Sequence, residues 1–243
     1  YYMKIKKISS PNYNIKKRGL SSIKFIILHY TGMQSERASI KRLTSKKSKV
    51  STHYLINRKG TVIKMVDERC IAWHAGKSKW RSIKNLNANS IGIELVNKGH
   101  KLGYQNFTIP QISQLISLCR NLIKKYKINK KNILGHSDIA PLRKIDPGEK
   151  FPWFYLSKKR VGSFHKNIKK EEVKKGNKTN IRKHFFNNLY KIGYRYFFKN
   201  QKLNTDSKII KAFQSRYRQN KVNGLIDLEC LKISTYLLKN IKN

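Results

Sequence analysis

The sequence predicts an α/β fold with a mixed central sheet and flanking helices, followed by a small C-terminal three-helix domain. Three observations carry this. Short apolar runs alternate with helical patterns between residues 22 and 160. A polar, highly charged stretch from Lys166 to Asn180 then breaks the patterning. Beyond it, three helical stretches separated by Gly193 and Gly224 fill the remaining chain.

Each element has a local reason. Ile23-Lys24-Phe25-Ile26-Ile27-Leu28 is a nearly continuous apolar run, as in a strand covered on both faces. Ser35 to Ser45 carries Ile40 and Leu43 among charges and reads as a helix. His53–Asn57 and Thr61–Val66 read as strands joined by the turn Arg58-Lys59-Gly60. Ile91 to Val96 alternates like a strand with one exposed end. Thr108-Ile109-Pro110-Gln111 predicts a helix start with a capping box and an early proline. Ile112, Leu115, Ile116, Leu118, Cys119, Leu122 and Ile123 then recur with helical period, and Asn132–Gly135 is a short strand leading into His136. Helices are expected at Ile181–Ile192, Ser207–Arg218 and Leu228–Asn240. The expected divisions are an N-terminal extension (1–21), a catalytic domain (22–163), a linker (164–180) and a helical domain (181–243).

Composition narrows the function classes. The chain has 243 residues, 39% of them hydrophobic, enough for a real core. No apolar run reaches the roughly 18 residues that span a bilayer. Tyr1 to Leu20 is basic but shows no apolar signal-peptide core, so no export signal is visible. Cys70, Cys119 and Cys230 are too few and too scattered for a disulfide framework or zinc finger, and Cys119 reads as core. The net charge of +43 attracts polyanions, yet the basic residues are spread along the whole chain. With no helix-turn-helix, zinc-finger or base-stacking motif, no dedicated nucleic-acid site is expected.

Candidate metal ligands fall at strand ends. His29 follows the strand ending at Leu28, and His136 follows Ile133-Leu134. Asp146 lies ten positions later in a loop with two prolines and a glycine, able to fold its carboxylate back. Two imidazoles and one carboxylate leave the fourth position of a tetrahedral Zn²⁺ open, as catalytic zinc requires. Spacing alone leaves open that each histidine is a hydrogen-bonded structural residue.

The surrounding segments bear on that choice. Ile26-Ile27-Leu28-His29-Tyr30-Thr31, Ser51-Thr52-His53-Tyr54-Leu55-Ile56, Ala72-Trp73-His74-Ala75-Gly76, Asn89-Ser90-Ile91-Gly92-Ile93-Glu94-Leu95 and Gly135-His136-Ser137-Asp138-Ile139-Ala140-Pro141, with Lys144-Ile145-Asp146-Pro147-Gly148, occur in this order. Together they resemble the zinc-dependent N-acetylmuramoyl-L-alanine amidases of the AmiD type. AmpD, phage amidase lysozymes and animal peptidoglycan recognition proteins are relatives in that superfamily. The resemblance covers roughly residues 22 to 160 and implies an amidase that cuts peptidoglycan or muropeptides between N-acetylmuramic acid, including its 1,6-anhydro form, and L-alanine.

It further implies one Zn²⁺ per chain on His29, His136 and Asp146, with Glu94 as general base and Lys144 steadying the developing oxyanion. Without it, Glu94 reads as a surface carboxylate and Lys144 as one lysine among many. Trp73 and His74 are implied beside the substrate, although Trp73 equally suits a core. Tyr54 is similar to a tyrosine near the metal in phage members, or only packs. His53 is expected to be structural, and Trp153 to close the domain's edge. Several relatives carry Cys as third ligand, whereas the aspartate here is the choice of the bacterial forms. Recognition-only relatives commonly lack that ligand, so the complete set favours an enzyme over a non-catalytic peptidoglycan-binding protein.

Ile209-Ile210-Lys211-Ala212-Phe213-Gln214 followed by Val222-Asn223-Gly224-Leu225-Ile226-Asp227 is similar to the small helical peptidoglycan-binding module. Phe213 is expected in its core. Tethering through such a module would raise the local substrate concentration. Its presence points to the cell envelope or periplasm, with the cytoplasm as the alternative.

Overall fold

The structure is a computed structural model that describes residues 5–166 and 178–240. Its centre is a six-stranded mixed sheet. The strands are β1 (Ile5–Lys7), β3 (Phe25–Tyr30), β4 (Tyr54–Ile56), β5 (Val62–Lys64), β9 (Ser90–Leu95) and β10 (Ile133–Gly135), in the spatial order β1-β5-β4-β9-β3-β10. Only the β4–β5 pair is antiparallel. Two small two-stranded sheets join β2 (Tyr13–Asn14) to β6 (Ile71–Ala72), and β7 (Lys79–Trp80) to β8 (Ile83–Lys84).

Because side chains alternate along a strand, each sheet face has its own set. Ile26 and Leu28 of β3, Ile91 and Ile93 of β9, and Tyr54 and Ile56 of β4 join one core cluster. Helix α2 (Ile109–Tyr126) closes this face with Ile112, Leu115, Ile116, Leu118, Cys119 and Leu122. Each such side chain, fully buried, contributes about 1.5–3 kcal/mol relative to an exposed one. Trp153 and Leu156 of α4 (Trp153–Lys158) complete that layer. At one end of the opposite face, Leu43 of α1 (Glu36–Thr44) packs on Leu55 and Ile63. At the other end, Phe25, Ile27 and Leu134 are covered by α5 (Lys178–Ile192), α6 (Asp206–Tyr217) and α7 (Leu228–Lys239) through Phe185, Leu189, Ile209, Phe213 and Ile233. The helical unit and the sheet therefore share one core. Phe213 is fully buried, and Gln214 closes the following turn by accepting from the Asn223 and Gly224 amides and donating to the Leu225 carbonyl.

Most strands and helices form where the sequence places them. The turn between β4 and β5 needs its glycine: Gly60 has φ 86°, and a Cβ there would lie 2.8 Å from the Pro110 carbonyl oxygen. Thr108 caps α2 by accepting from the Gln111 amide. The reciprocal half of the expected capping box is absent, because Gln111 is fully buried and donates to the carbonyls of Ile56 and Val96 instead.

The residues expected as an N-terminal extension pair and pack with the rest of the chain. Residues 5–7 add the edge strand β1, residues 13–14 pair with 71–72, and buried Arg18 donates to the carbonyls of Glu68, Asn87, Ala88 and Ser90. Backbone pairing and a buried arginine leave no trace in apolar periodicity. Most of the expected linker, residues 167–177, lies outside the described residues, and α5 already begins at Lys178. Among the described residues no helix is long and apolar enough to cross a membrane.

Candidate metal centre and active-site cleft

His29 stands near the C-terminal end of β3, directly opposite Glu94 on β9. Both side chains therefore project from the face not covered by α2. His136 follows β10 and opens the short helix α3 (His136–Ile139), and β10 is hydrogen-bonded to β3 on its other side. The loop after α3 returns Asp146 to this point, where the Asp146 carbonyl accepts from the Ser137 amide. Ligand sites in open α/β sheets commonly lie at such carboxyl ends of parallel strands.

Three donor atoms converge there. His29 Nδ1 and His136 Nδ1 are 2.9 Å apart, and each lies 3.1 Å from Asp146 Oδ2. These are the residues that among the described ones form a buried group able to hold a metal ion. The hydrogen bonds behind them fix which nitrogens carry protons. His136 Nε2 lies 3.1 Å from the Ala75 carbonyl, nearer than its 3.4 Å to Arg143 Nη2, and donating to that carbonyl leaves Nδ1 with its lone pair inward. His29 Nε2 meets His74 Nδ1 at 3.1 Å, and His74 Nε2 meets Ser90 Oγ at 3.2 Å. Ser90 spends its proton on the Leu86 carbonyl at 2.6 Å and so accepts from His74. His74 Nδ1 then accepts from His29 Nε2–H, and the His29 Nδ1 lone pair also faces inward.

Charge follows the same logic. Burial, with the neighbouring His136, lowers His29 to about 4 and keeps it neutral near pH 7, the form a ligand needs. Burial opposes ionisation of Asp146, but the charge and hydrogen bonds of His136 and His29 outweigh it and hold the carboxyl well below the usual carboxylate range. Two lone pairs and an anionic oxygen pointing at one another repel unless a cation lies between them. A tetrahedral zinc with bonds of about 2.0–2.1 Å spaces its ligand atoms by about 3.3 Å, close to the separations here. The donor set fits zinc.

Beside the triad, burial pushes the Glu94 carboxyl up to about 8, with the charge of Asp146 adding to it and Lys144 and Arg42 opposing. Glu94 Oε2 is shielded from solvent and has no hydrogen-bond partner among the described residues. Glu94, His136 and Asp146 line a cleft of about 500 Å³ together with Lys144 and Trp73. Trp73 is half-buried, its indole donating to Asn14 Oδ1 at 2.6 Å.

Tyr54 and His74 occupy different places relative to the cleft. Tyr54 is 4% exposed, donates to Glu68 Oε1 at 2.5 Å and packs in the α2-side core. In β4 it precedes Leu55, which pairs with Glu94, so strand alternation turns it to the opposite face. His74 lies on the cleft wall, with its two ring nitrogens hydrogen-bonded to His29 and Ser90. His53 is fully buried, accepting from the Gly92 amide and donating to the Cys70 carbonyl, as a structural histidine should.

Sequence reasoning missed Ser90, Gly92 and Arg143. Ser90 and Gly92 sit in the block that carries Glu94, and their signal is the small side chains on one face of β9. Arg143 binds the Ala75 and Lys77 carbonyls and braces the segment that carries His74.

The family model for N-acetylmuramoyl-L-alanine amidase (Amidase_2) matches residues 19–149, more than half of the chain and all of the cleft residues above. The chain belongs to the N-acetylmuramoyl-L-alanine amidase family. This amidase is 34% identical over 231 residues to AmiD of Escherichia coli K12, spanning 89% of the chain and 83% of the relative. It is 43% identical over 111 residues to the 1,6-anhydro-N-acetylmuramyl-L-alanine amidase AmpD of Haemophilus influenzae, covering 45% of the chain and 58% of that protein. In three dimensions the amidase is similar to E. coli AmiD in complex with anhydro-N-acetylmuramic acid-L-Ala-D-γ-Glu-L-Lys (TM-score 0.79, 31% identity, 93% and 92% of the two chains). It is also similar to AmpDh3 from Pseudomonas aeruginosa in complex with an anhydromuramic pentapeptide (TM-score 0.79, 27% identity, 96% and 98% covered).

Proposed function

We propose that the protein hydrolyses the amide bond between N-acetylmuramic acid, its 1,6-anhydro form included, and L-alanine, using one zinc ion held by His29, His136 and Asp146. The observation that carries this reading is the convergence of those three donors beside Glu94, whose shielded Oε2 has no hydrogen-bond partner among the described residues, in an open cleft. Bound there, zinc supplies a Lewis acid that activates water and polarises the scissile carbonyl.

The protein's own groups do the rest. Glu94 takes the proton of the attacking water and returns it to the leaving L-alanine amine. Burial raises the basicity of the Glu94 carboxylate above that of an exposed one, which strengthens it as a proton acceptor. Lys144, on the cleft wall two residues before Asp146, places positive charge where the carbonyl oxygen becomes negative. Trp73 offers an apolar surface to the substrate. Arg42, Lys98, Lys101 and Arg143 join Lys144 on the walls and outnumber the acids Glu94 and Asp146, which suits a muropeptide bearing free carboxylates.

The catalytic unit in this reading runs from residue 5 to about 163, and residues 181–243 form a wall-binding unit that holds the enzyme on peptidoglycan. The similarity to AmiD along most of the chain supports work in the cell envelope. The test is mass spectrometry of purified anhydro- and intact muropeptides incubated with the protein, with and without a zinc chelator. Release of free stem peptide beginning at L-alanine, abolished by chelator and restored by zinc, is expected. Zinc-loaded protein that binds muropeptides and releases nothing would instead make it a recognition protein.

A further inference from the structure

We infer that Tyr194 and Arg216, from the C-terminal helical unit, are positioning residues for the metal ligand His136, acting through Asp138. The helical unit would thereby be part of the metal site's construction, whatever it does with the cell wall. Helix α3 is only four residues long, and His136 is its first residue. One turn of helix cannot hold itself in place, because nucleation costs more than a single turn returns. Something outside it must set the direction of the His136 ring.

Asp138 is where that grip is applied. It is 1% exposed, and its Oδ2 accepts from the Gly135 amide at 2.8 Å, capping α3 from within. The remaining capacity of the carboxylate is taken by the helical unit. Tyr194 donates its hydroxyl to Asp138 Oδ1 at 2.5 Å, and Arg216 pairs through Nη1 with Asp138 Oδ2. Arg216 also reaches behind the ligand, its Nη2 donating to the Ile133 carbonyl at 3.0 Å. One guanidinium thus holds the chain three residues before His136 and two residues after it.

The grip is itself rigid. Arg216 is 2% exposed, and its guanidinium lies 4.2 Å from the centre of the Trp153 ring and 4.9 Å from that of Tyr217. Tyr194 is fully buried, its ring in edge contact with Trp80. A planar, bridging cation of this kind is not replaced by lysine, whose single ammonium cannot reach both acceptors. Because His136 Nδ1 must meet His29 Nδ1 and Asp146 Oδ2 within about 3 Å, a tilt of α3 opens the donor set directly.

The test compares the full-length protein with Tyr194→Phe, Arg216→Lys and Arg216→Met. Zinc affinity is measured by competition with a chromophoric chelator, alongside Tm, kcat and KM on an anhydromuropeptide. Arg216→Met is expected to weaken zinc binding about tenfold or more, in the range of losses seen when the groups behind a metal ligand are removed. Arg216→Lys should recover part of that loss, and kcat should fall with KM unchanged. Tyr194→Phe, which keeps its packed ring, should fold and lose zinc affinity several-fold. It decides the question if Arg216→Met does not fold. Variants that lose Tm while keeping wild-type zinc affinity and kcat would overturn the inference and leave these residues a purely structural role. The kinetic arm alone rests on the amidase reading. If the wild-type protein loads zinc but releases no peptide, that reading fails while the zinc arm still decides the positioning role.

Discussion

Gly92 allows a sharp test of how His29, the proposed ligand, is held. A Cβ built at this position in β9 would lie 2.6 Å from His74 Cδ2 and 2.7 Å from its Nδ1, where carbon contacts normally begin near about 3.5 Å. His74 Cγ would lie closer still, so Gly92→Ala requires the ring to retreat by about 1 Å or more. The ring is held at both ends, 3.1 Å from His29 Nε2 and 3.2 Å from Ser90 Oγ, so a retreat of that size takes at least one bond beyond hydrogen-bonding reach. Overpacking costs about 1–3 kcal/mol and a lost buried hydrogen bond about 1 kcal/mol, so destabilisation of about 2–4 kcal/mol is expected. For a chain of this size that lowers Tm by about 2–4 °C per kcal/mol. Zinc affinity should fall about 10–100-fold, because His29 loses the partner that fixes its tautomer. Chelator competition and thermal unfolding measure the two effects separately. Adding His74→Ala to Gly92→Ala relieves the clash, so Tm should partly recover while zinc affinity stays low. Wild-type zinc affinity in Gly92→Ala, or its return in the double variant, would refute the reasoning.

Glu94→Gln should retain zinc and lower kcat by about 10²–10⁴-fold, the usual contribution of a general base, as measured by peptide release from muropeptides. Tyr54→Phe should leave KM unchanged, since the hydroxyl serves Glu68, and cost about 1–3 kcal/mol in a denaturant melt by stripping a donor from a buried carboxylate. Glu68 itself predicts acid sensitivity: burial raises its pKa, but bonds from Lys125, Tyr126 and Tyr54 outweigh this and leave it below the usual value. A depressed folded pKa contributes stability that is fully present above the unfolded carboxylate pKa of about 4.3 and is lost as pH falls through the folded value, so Glu68→Gln should flatten the fall of Tm on acidification below about pH 4.3.

The parts of the site that were legible in the sequence are those tied to local pattern. His29 and His136 stand at strand ends because the runs before them are apolar enough to be read as buried strands. Asp146 is readable because proline and glycine turn its loop back. Glu94 had no signal of its own. On a strand, nothing but the pairing of β9 with β3 says that its carboxylate shares a face with His29. The same missing knowledge left Tyr54 open between cleft and core, since the alternation of β4 gives two sides without saying which one is the cleft. His74 was found as a residue but not in its role, because a tautomer chain through Ser90 to the Leu86 carbonyl joins groups that only the folded backbone brings together.

The apolar run of β3 held one further consequence. Phe25 and Ile27 point one way along the strand and Ile26 and Leu28 the other, and all four are buried. Helix α2 can cover only one of these faces. The other needs its own cover, which α1 supplies near Leu55 and Ile63, while Ala75, Leu86 and Ile139 supply part of it beside Phe25 and Ile27. The rest of the cover around Phe25, Ile27 and Leu134 comes from Phe185, Leu189, Ile209, Phe213 and Ile233 of the last three helices. A strand apolar on both sides therefore already required a second layer, and the charged break before Lys178 disguised where it would come from. The helices that cover the sheet also supply the arginine and tyrosine that bind Asp138. The apolar contact holds the helical unit in place, and the buried polar contact fixes its register against the turn that carries His136.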